Sequence, residues 1–357
     1  MRQTIMEVDL NKFNKNIDAI QSYVGDKILM PVIKANGYGT YVNKDLNTIN
    51  RFDIVAVAMV QEAVELRKIG YEKEIFVLNQ PFVEEMDEIC ENNISIGISS
   101  IEFIEEAIKE NRNMRVHLEI ETGMNRTGIK LEVLEKILYK INESSLIVEG
   151  VYTHFSSADY DENYTNMQIE KFKKAVEIVK AEFPNIKYIH SSASNGLLKY
   201  DDGVSNTVRP GIIMYGYEPY NGALNQINVE PICKLKSKIS YIKNVNVRDA
   251  ISYSQSFIAD KPMRVATIAI GYADGLKRAL SNKGYVVVNG QKAKIIGNIC
   301  MDGCMIDVTD IENVSVGNDV YIWDNENQTI EQMAEICGTI NYEIMSSISS
   351  RVPRVFV

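Results

Sequence analysis

Lys34 stands where a lysine could do covalent chemistry. It closes the apolar run Ile28-Leu29-Met30-Pro31-Val32-Ile33 and opens Lys34-Ala35-Asn36-Gly37-Tyr38-Gly39. A short apolar run closed by glycines reads as a buried strand passing into a loop. An amine at that junction is partly withdrawn from water, which disfavours the ammonium form and leaves a nucleophile suited to Schiff-base formation. A lysine snorkelling from a strand end is the plain alternative. The rest of the chain argues against it, because reactive side chains stand at the ends of one apolar run after another. Arg126 lies beyond 115–121, His154 closes 148–154, His190 and Ser194 lie at the end of 187–193, and Arg209 heads Arg209-Pro210-Gly211-Ile212 within 207–214.

Those runs belong to a series. Strand-like segments at 28–34, 54–59, 75–79, 95–98, 115–121, 148–154, 187–193 and 207–214 alternate with segments such as 60–70, 101–110, 131–142 and 164–183. In the latter, apolar residues fall three and four apart, as amphipathic helices require. Eight strands alternating with helices predict a (β/α)8 barrel of TIM type, with an added helix over 11–24. After about residue 225 the alternation stops. β-rich runs follow at 236–242, 265–270, 285–288, 294–296 and 319–323, Asn289-Gly290 is a two-residue hairpin signal, and only 329–349 reads helical. The expected organisation is a barrel over 8–225 and a mainly-β domain over 226–357, with residues 1–7 able to join the second. No Pro/Ser-rich linker parts the two, so they are expected to pack closely and to place a site between them.

In a barrel, chemistry gathers at the carboxyl ends of strands, which is where Lys34, Tyr38, Arg126, His154, His190 and Ser194 fall. Within 115–121 alternation puts His117, Glu119 and Glu121 on one side and Leu118 and Ile120 on the other. The apolar pair must face the helices, which turns the imidazole and carboxylates into the lumen. A buried carboxylate needs a partner, and Arg126 is the nearest; Glu121 could instead cap the strand at the rim. Barrels often bind phosphate through the loops after strands seven and eight. Here those loops hold Ser194 and the main-chain N–H groups of Gly211 and Ile212. No P-loop or GxGxxG fingerprint is present, so a nucleotide is not indicated, and no G-x-S-x-G elbow supports a serine hydrolase. A Schiff-base lysine and a phosphate site in one barrel mouth point to pyridoxal phosphate (PLP).

The bulk numbers exclude other classes. The 357 residues are 45% hydrophobic and 24% charged with a net charge of −10, which argues against a nucleic-acid or anionic-membrane partner. The first ten residues lack a signal peptide's apolar core, and no stretch approaches the ~20 apolar residues of a membrane span. The five cysteines (Cys90, Cys233, Cys300, Cys304, Cys337) are sparse and odd in number, which suits reduced thiols in a cytoplasm. Cys300 and Cys304 resemble half a zinc site, but with three histidines in the chain and no second ligand pair nearby no metal is expected. The fourteen scattered methionines read as core fillers.

Together the residues resemble the alanine racemase family, PLP enzymes built from a barrel and a β domain. The resemblance covers almost the whole chain and rests on Val32-Ile33-Lys34-Ala35-Asn36-Gly37-Tyr38-Gly39, Glu121-Thr122-Gly123-Met124-Asn125-Arg126-Thr127-Gly128, Thr153-His154-Phe155-Ser156-Ser157-Ala158-Asp159, Val208-Arg209-Pro210-Gly211-Ile212, Ser252-Tyr253, Ile270-Gly271-Tyr272-Ala273-Asp274-Gly275, Cys300-Met301-Asp302 and Gly338-Thr339-Ile340-Asn341-Tyr342-Glu343. Each is weak alone; eight in family order are specific. The resemblance implies that Lys34 holds PLP and exchanges a proton on one face of the substrate Cα. It implies that Tyr253, from the partner subunit of a homodimer, works the other face. Arg209 contacts the pyridine nitrogen, while Tyr38, Ser194, Gly211, Ile212 and Tyr342 hold the phosphate. Arg126, Met301 and Tyr272 receive the substrate, His154 bridges Tyr253 to Arg209, and Asp302 supports the site. The implied activity is interconversion of L- and D-alanine, supplying D-alanine for peptidoglycan in the cytoplasm.

Some positions depart from the family pattern. Glu119 stands where members commonly carry a carbamylated lysine, and is expected to supply the negative charge for Arg126 without modification. Thr40, Asn298 and Gly303 also differ from common residues, which leaves a serine or broad-specificity racemase as an alternative. The other rivals are a barrel-type PLP amino-acid decarboxylase and a PLP-binding carrier without turnover. The Tyr253 and Cys300-Met301-Asp302 segments favour a racemase over the first, and the second domain speaks against the carrier.

Overall fold

The computed structural model describes residues 4–357, and the chain divides into two compact units. One comprises Asn14–Gly37 and Val42–Val229; the other comprises Glu230–Val357, Tyr38–Tyr41 and the described residues up to Phe13. The sequence expectation is 8–225 and 226–357 with residues 1–7 able to join the second; the second unit here also takes the described residues up to Phe13 and Tyr38–Tyr41. Strand β1 (Ile5–Val8) takes the start of the chain into the second unit, and the main chain of Asp9 and Leu10 stays there by donating to Ile232 O and Val357 O. Residues 38–41 follow, with the Arg354 guanidinium stacked 4.6 Å over the Tyr41 ring and its Nε–H donated to Gly39 O.

The first unit is a parallel barrel. Its strands are β2 (Ile28–Leu29), β3 (Ile54–Val57), β4 (Glu74–Val77), β5 (Ser95–Ile98), β6 (Arg115–Glu119), β7 (Ile147–Tyr152), β8 (Tyr188–His190) and β9 (Thr207–Val208). Strands β3 to β8 form one sheet in sequence order, and β2 pairs with β9. Parallel bridges from Val32 to Ala56 and from Ala193 to Arg209 close the ring. The first and eighth strands are shorter than the apolar runs 28–34 and 207–214 suggested. Pro31 and Pro210 carry no N–H for a ladder, and after Gly211 the chain turns into a 3-10 segment over Ile212–Tyr215. Arg209, expected within the eighth strand, therefore follows it.

Helices Leu10–Val24, Val60–Lys68, Met86–Glu91, Ile101–Lys109, Leu131–Asn142 and Glu162–Glu182 lie between or ahead of the strands. Their starts follow local chemistry: the Ser100 and Asp161 side chains accept from the third residue on, Phe103 N at 3.2 Å and Tyr164 N at 2.9 Å, satisfying donors a helix start leaves open. Inside the barrel, small residues face large ones. A Cβ on Gly97 would lie 2.2 Å from Tyr152 Oη, and one on Gly150 2.6 Å from His117 Nδ1. Glycine at these two strand positions makes room for the rings that fill the lumen.

The second unit is an eight-stranded barrel-like sheet. Strand β10 (Cys233–Val245) is its spine, pairing with β1, with β17 (Asp319–Trp323) and, beyond a bulge between Ile239 and Tyr241, with β13 (Met263–Ile268). Strands β14 (Tyr285–Val288), β15 (Gln291–Ile296) and β16 (Cys304–Asp307) complete the ring, and β18 (Arg354–Phe356) runs parallel to β1 at its edge. The hairpin signal acts as expected: Asn289 (φ 50°) and Gly290 (φ 76°) join Val288 to its partner Gln291. A separate hairpin, β11 (Ala250–Ile251) against β12 (Phe257–Ile258), carries Tyr253 in its loop. The expected helix over 329–349 is two, Ile330–Cys337 and Asn341–Ser346. Gly338 ends the first in the left-handed region at φ 66°, where a helix cannot continue. Among the described residues no helix is long and apolar enough to cross a membrane.

Candidate active site

The carboxyl ends of the barrel strands gather the groups that the sequence singled out. Lys34 follows the Val32 bridge and enters a run of left-handed backbone at Ala35 (φ 52°), Asn36 (φ 54°), Gly37 (φ 61°) and Tyr38 (φ 56°). L-residues resist this conformation, and it persists only where neighbours over-determine it. Glu62 is one such neighbour: its carboxylate accepts from Ala35 N at 2.6 Å and Ala58 N at 2.7 Å, tying the Lys34 turn to the loop after β3. Sequence reading missed Glu62, although a glutamate in the first turn of the helix Val60–Lys68 is a position that favours main-chain donors. Burial holds the Lys34 amine below its usual range, and Arg126 and Arg209 push it further down against the opposing charge of Glu62. Desolvation and like charge both favour the neutral amine.

Arg209 is the most committed side chain of the mouth and only 2% exposed. Its Nη1 donates to His190 Nδ1 at 2.6 Å and His190 O at 2.8 Å; its Nη2 donates to Thr153 O at 2.8 Å and Ser191 O at 2.9 Å, with His154 Nδ1 at 3.4 Å. A guanidinium has only N–H groups to give, so His190 Nδ1 must be an acceptor and the proton of that ring sits on Nε2. His190 Nε2 then donates to His117 Nδ1 at 2.9 Å, which places the His117 proton on Nε2, a buried atom with no partner among the described residues. Burial, seconded by Arg115 for His117 and by Arg209 for His190 and His154, lowers all three imidazoles, His117 and His154 to about 3. Phe76 stacks on His117 at 4.2 Å, and Tyr152 on His190 at 5.0 Å. Four of the five Arg209 N–H groups are thus spent on the protein itself. The fifth, on Nε, meets no acceptor among the described residues.

Glu119 is 5% exposed, and burial raises its carboxyl above the usual range. The Thr127 hydroxyl opposes that rise first, with Arg126 and Arg209 behind it. Arg126 itself is exposed, so the expected pairing is an influence of charge on a buried acid. Glu121 does not turn into the lumen. Its carboxylate accepts from Gly123 N and from Asn125 N, the latter at 2.7 Å, so it shapes the turn before Arg126, the rim role that alternation could not separate from a lumen one. Of the expected phosphate ligands, Gly211 N donates to the buried Ser194 Oγ at 2.9 Å and Ile212 follows immediately, so these three stand together.

The second unit assembles its own group. Tyr272 N and Ala273 N donate to Cys300 O and Met301 O, both at 3.0 Å, and Gly271 allows it, because a Cβ there would lie 2.3 Å from Met301 O. Ser252 Oγ donates to Asn298 O at 2.5 Å, which ties the Tyr253 loop to the same segment. Tyr253, Met301 and Tyr272 are 69%, 53% and 44% exposed. Asp302 accepts from Arg351 at 2.6 Å. The Tyr38 and Tyr342 rings lie 6.1 Å apart, and burial raises the Tyr38 phenol.

The model of the alanine racemase N-terminal domain matches residues 8–219, and that of the C-terminal domain matches 232–356. The chain belongs to the alanine racemase family. Alanine racemase 1 of Clostridium acetobutylicum is 36% identical over all of this chain and 96% of its own length. The alanine racemase of Methanococcus maripaludis is 37% identical over 98% of both. Among solved structures, that of the Bacillus anthracis alanine racemase with bound L-Ala-P is 33% identical at a TM-score of 0.92, covering all of this chain and 95% of that one. The Clostridium difficile alanine racemase is 31% identical at the same TM-score of 0.92, over all of this chain and 96% of its own. Alanine racemases are PLP-dependent isomerases, and the donor set of this barrel mouth fits that cofactor. It offers a depressed amine for an aldehyde, a hydroxyl beside main-chain N–H groups for a phosphate, and an unspent guanidinium N–H for a pyridine nitrogen.

Proposed function

We propose that this protein interconverts L- and D-alanine, with PLP carried on Lys34 and with Lys34 and Tyr253 exchanging protons on opposite faces of the substrate Cα. The observation that carries the reading is the Arg209 arrangement, four N–H groups locked into the barrel and one left over. When bound, PLP supplies an electron sink beside Cα, which makes the proton there removable. The Lys34 amine, held below its usual range by burial and by the charges of Arg126 and Arg209 against that of Glu62, takes or returns that proton on its own face. The Tyr253 phenol does the same on the other, and an acid and a base on opposite faces are what inversion needs. Burial brings Arg209 down only to about 10, so it remains a cation at neutral pH. It offers the pyridine nitrogen a hydrogen bond and no transferable proton, which favours prompt reprotonation at Cα and discourages transamination. Ser194, Gly211, Ile212, Tyr38 and Tyr342 hold the phosphate, and Arg126, Met301 and Tyr272 receive the substrate.

The working unit is a homodimer in which Tyr253 serves the partner's barrel; its exposure within the second unit supports this. The five cysteines are free thiols, which suits a cytoplasmic enzyme supplying D-alanine for peptidoglycan. Purified protein should show a visible absorption band that borohydride abolishes, and should rotate L-alanine toward the racemate in a polarimeter. Lys34→Ala should lose the band and about 10²–10⁴-fold in rate, the usual contribution of a positioned acid–base group. A colourless wild type, or Lys34→Ala with full activity, would overturn the reading.

A further inference from the structure

The loop that bears Tyr253 is strained and then clamped, and we propose that Asn298 and Asn282 are positioning residues that aim the Tyr253 phenol. The proposal deepens the reading of Tyr253 as a proton-exchanging group and rests on it. The loop has three non-glycine residues in the left-handed region, Ser252 (φ 70°), Ser254 (φ 57°) and Gln255 (φ 49°). Side-chain-bearing residues avoid that region, and a run of them holds only under external constraint.

The constraint is visible as two asparagine side chains from the segments flanking β14 and β15. Asn298 Nδ2 donates to Tyr253 O at 2.8 Å, and Asn282 Nδ2 donates to Ser256 O at 3.2 Å. The two clamps are joined, because Asn282 Oδ1 accepts from Gly297 N at 2.6 Å and Ser252 Oγ donates to the main-chain carbonyl of Asn298 at 2.5 Å. Gly297 is what lets the loop come so near, since a Cβ there would lie 2.5 Å from Ser252 Cβ. Within the loop the one main-chain hydrogen bond is long, Ser256 N to Tyr253 O at 3.4 Å.

Within its own chain Tyr253 is 69% exposed, so what its own subunit contributes to the direction of the phenol is the backbone of 252–256, and the two amides set that backbone. A merely structural clamp would stabilise the hairpin and affect all activities alike. A positioning clamp acts on the face of Cα that Tyr253 serves and spares the face that Lys34 serves.

Asn298→Asp removes the amide N–H at constant size, Asn298→Ala removes the whole group, and Asn282→Ala tests the other end of the loop. The first readout is the fluorine NMR spectrum of the full chain labelled with 3-fluorotyrosine, the Tyr253 line being the one missing from Tyr253→Phe. We expect that line to broaden or split in all three variants; a line unchanged in all three overturns the proposal. The second readout is Cα exchange with solvent deuterium, measured in the loaded enzyme for each alanine enantiomer separately. The enantiomer whose exchange Tyr253→Phe abolishes should lose about tenfold or more in the Asn298 variants, a loss typical of a misplaced reacting group. The other enantiomer should change less than about threefold. Equal losses for both, or none, overturn the proposal. A wild type that exchanges neither enantiomer refutes the racemase reading instead, and the fluorine spectrum still decides the clamp.

Discussion

At the scale of single residues, the site is a set of titratable groups whose ordinary behaviour burial has shifted, and the shifts have measurable signs. Glu119 is the clearest case. Its folded carboxyl is raised, so from the usual carboxylate range up to that raised value the native state binds more protons than the unfolded chain. Stability from this residue therefore declines as pH rises through that window. Glu119→Gln cannot titrate, so the variant's melting temperature should gain on wild type as pH rises across the window. A melting difference that does not grow with pH would count against a strained carboxylate. If Glu119 supplies the charge that tunes Arg126, the same variant should lose about tenfold in racemisation rate, and unchanged turnover would remove it from the site. Alternation had put Glu119 in the lumen. It could not show that Thr127 lies ahead of Arg126 among the groups that temper its burial, because which hydroxyl closes on a buried acid is settled by the turn after β6.

At the scale of elements, the lumen is a packing of rings against glycines. Tyr152 from β7 reaches the main chain beyond β4, with its Oη donating to Leu78 O at 2.8 Å, and Gly97 on β5 leaves it the room. Gly97→Ala should destabilise the protein by roughly 1–3 kcal/mol, the usual cost of an overpacked core, read as a lower urea midpoint at constant slope. Adding Tyr152→Phe removes the nearest atom of that clash, so the double variant should recover part of the loss; a simple sum of the two losses would mean that the ring and the glycine do not meet. The strands were legible because apolar runs of four to eight residues alternate with helical spacing. Their ends were less legible where proline truncates the ladder, as after Leu29 and Val208. The hairpin that carries Tyr253 has two short strands and a loop of left-handed residues, and no sequence signal marks it, since neither Asn-Gly nor Gly-Gly occurs there.

At the scale of the molecule, all three histidines of the chain are depressed in one barrel, His117 and His190 buried and His154 half-buried. Unfolded imidazoles titrate near 6.5, so their contribution is fully present above that pH and is lost as pH falls toward the folded values, about 3 for His117 and His154. Each can cost about 1.4 kcal/mol per pH unit in that window. Cofactor-free protein should therefore melt at steeply falling temperature from pH 6.5 down to about 4.5, and His117→Asn, which keeps an acceptor for His190, should flatten the slope by about a third. Parallel slopes would contradict a neutral buried relay. Subunit sharing is also tested at this scale. Equal mixtures of Lys34→Ala and Tyr253→Phe protein should recover about a quarter of wild-type activity, because half the dimers of a random C2 mixture are hybrids with one intact site each. No recovery after confirmed subunit exchange would place both groups on one chain.

The sequence by itself determined the barrel, the β unit and the residues at the strand ends, because periodicity, proline and glycine act over a few neighbouring residues and leave a local trace. Only the tertiary structure decided that Arg209 spends four donors on His190, Thr153 and Ser191, that a second imidazole backs the first, that Glu62 braces the Lys34 turn, and that the start of the chain joins the second unit. These are hydrogen bonds and ladders between groups tens to hundreds of residues apart. Their partners are chosen by where the folded main chain brings them, and nothing in the adjacent sequence encodes that meeting.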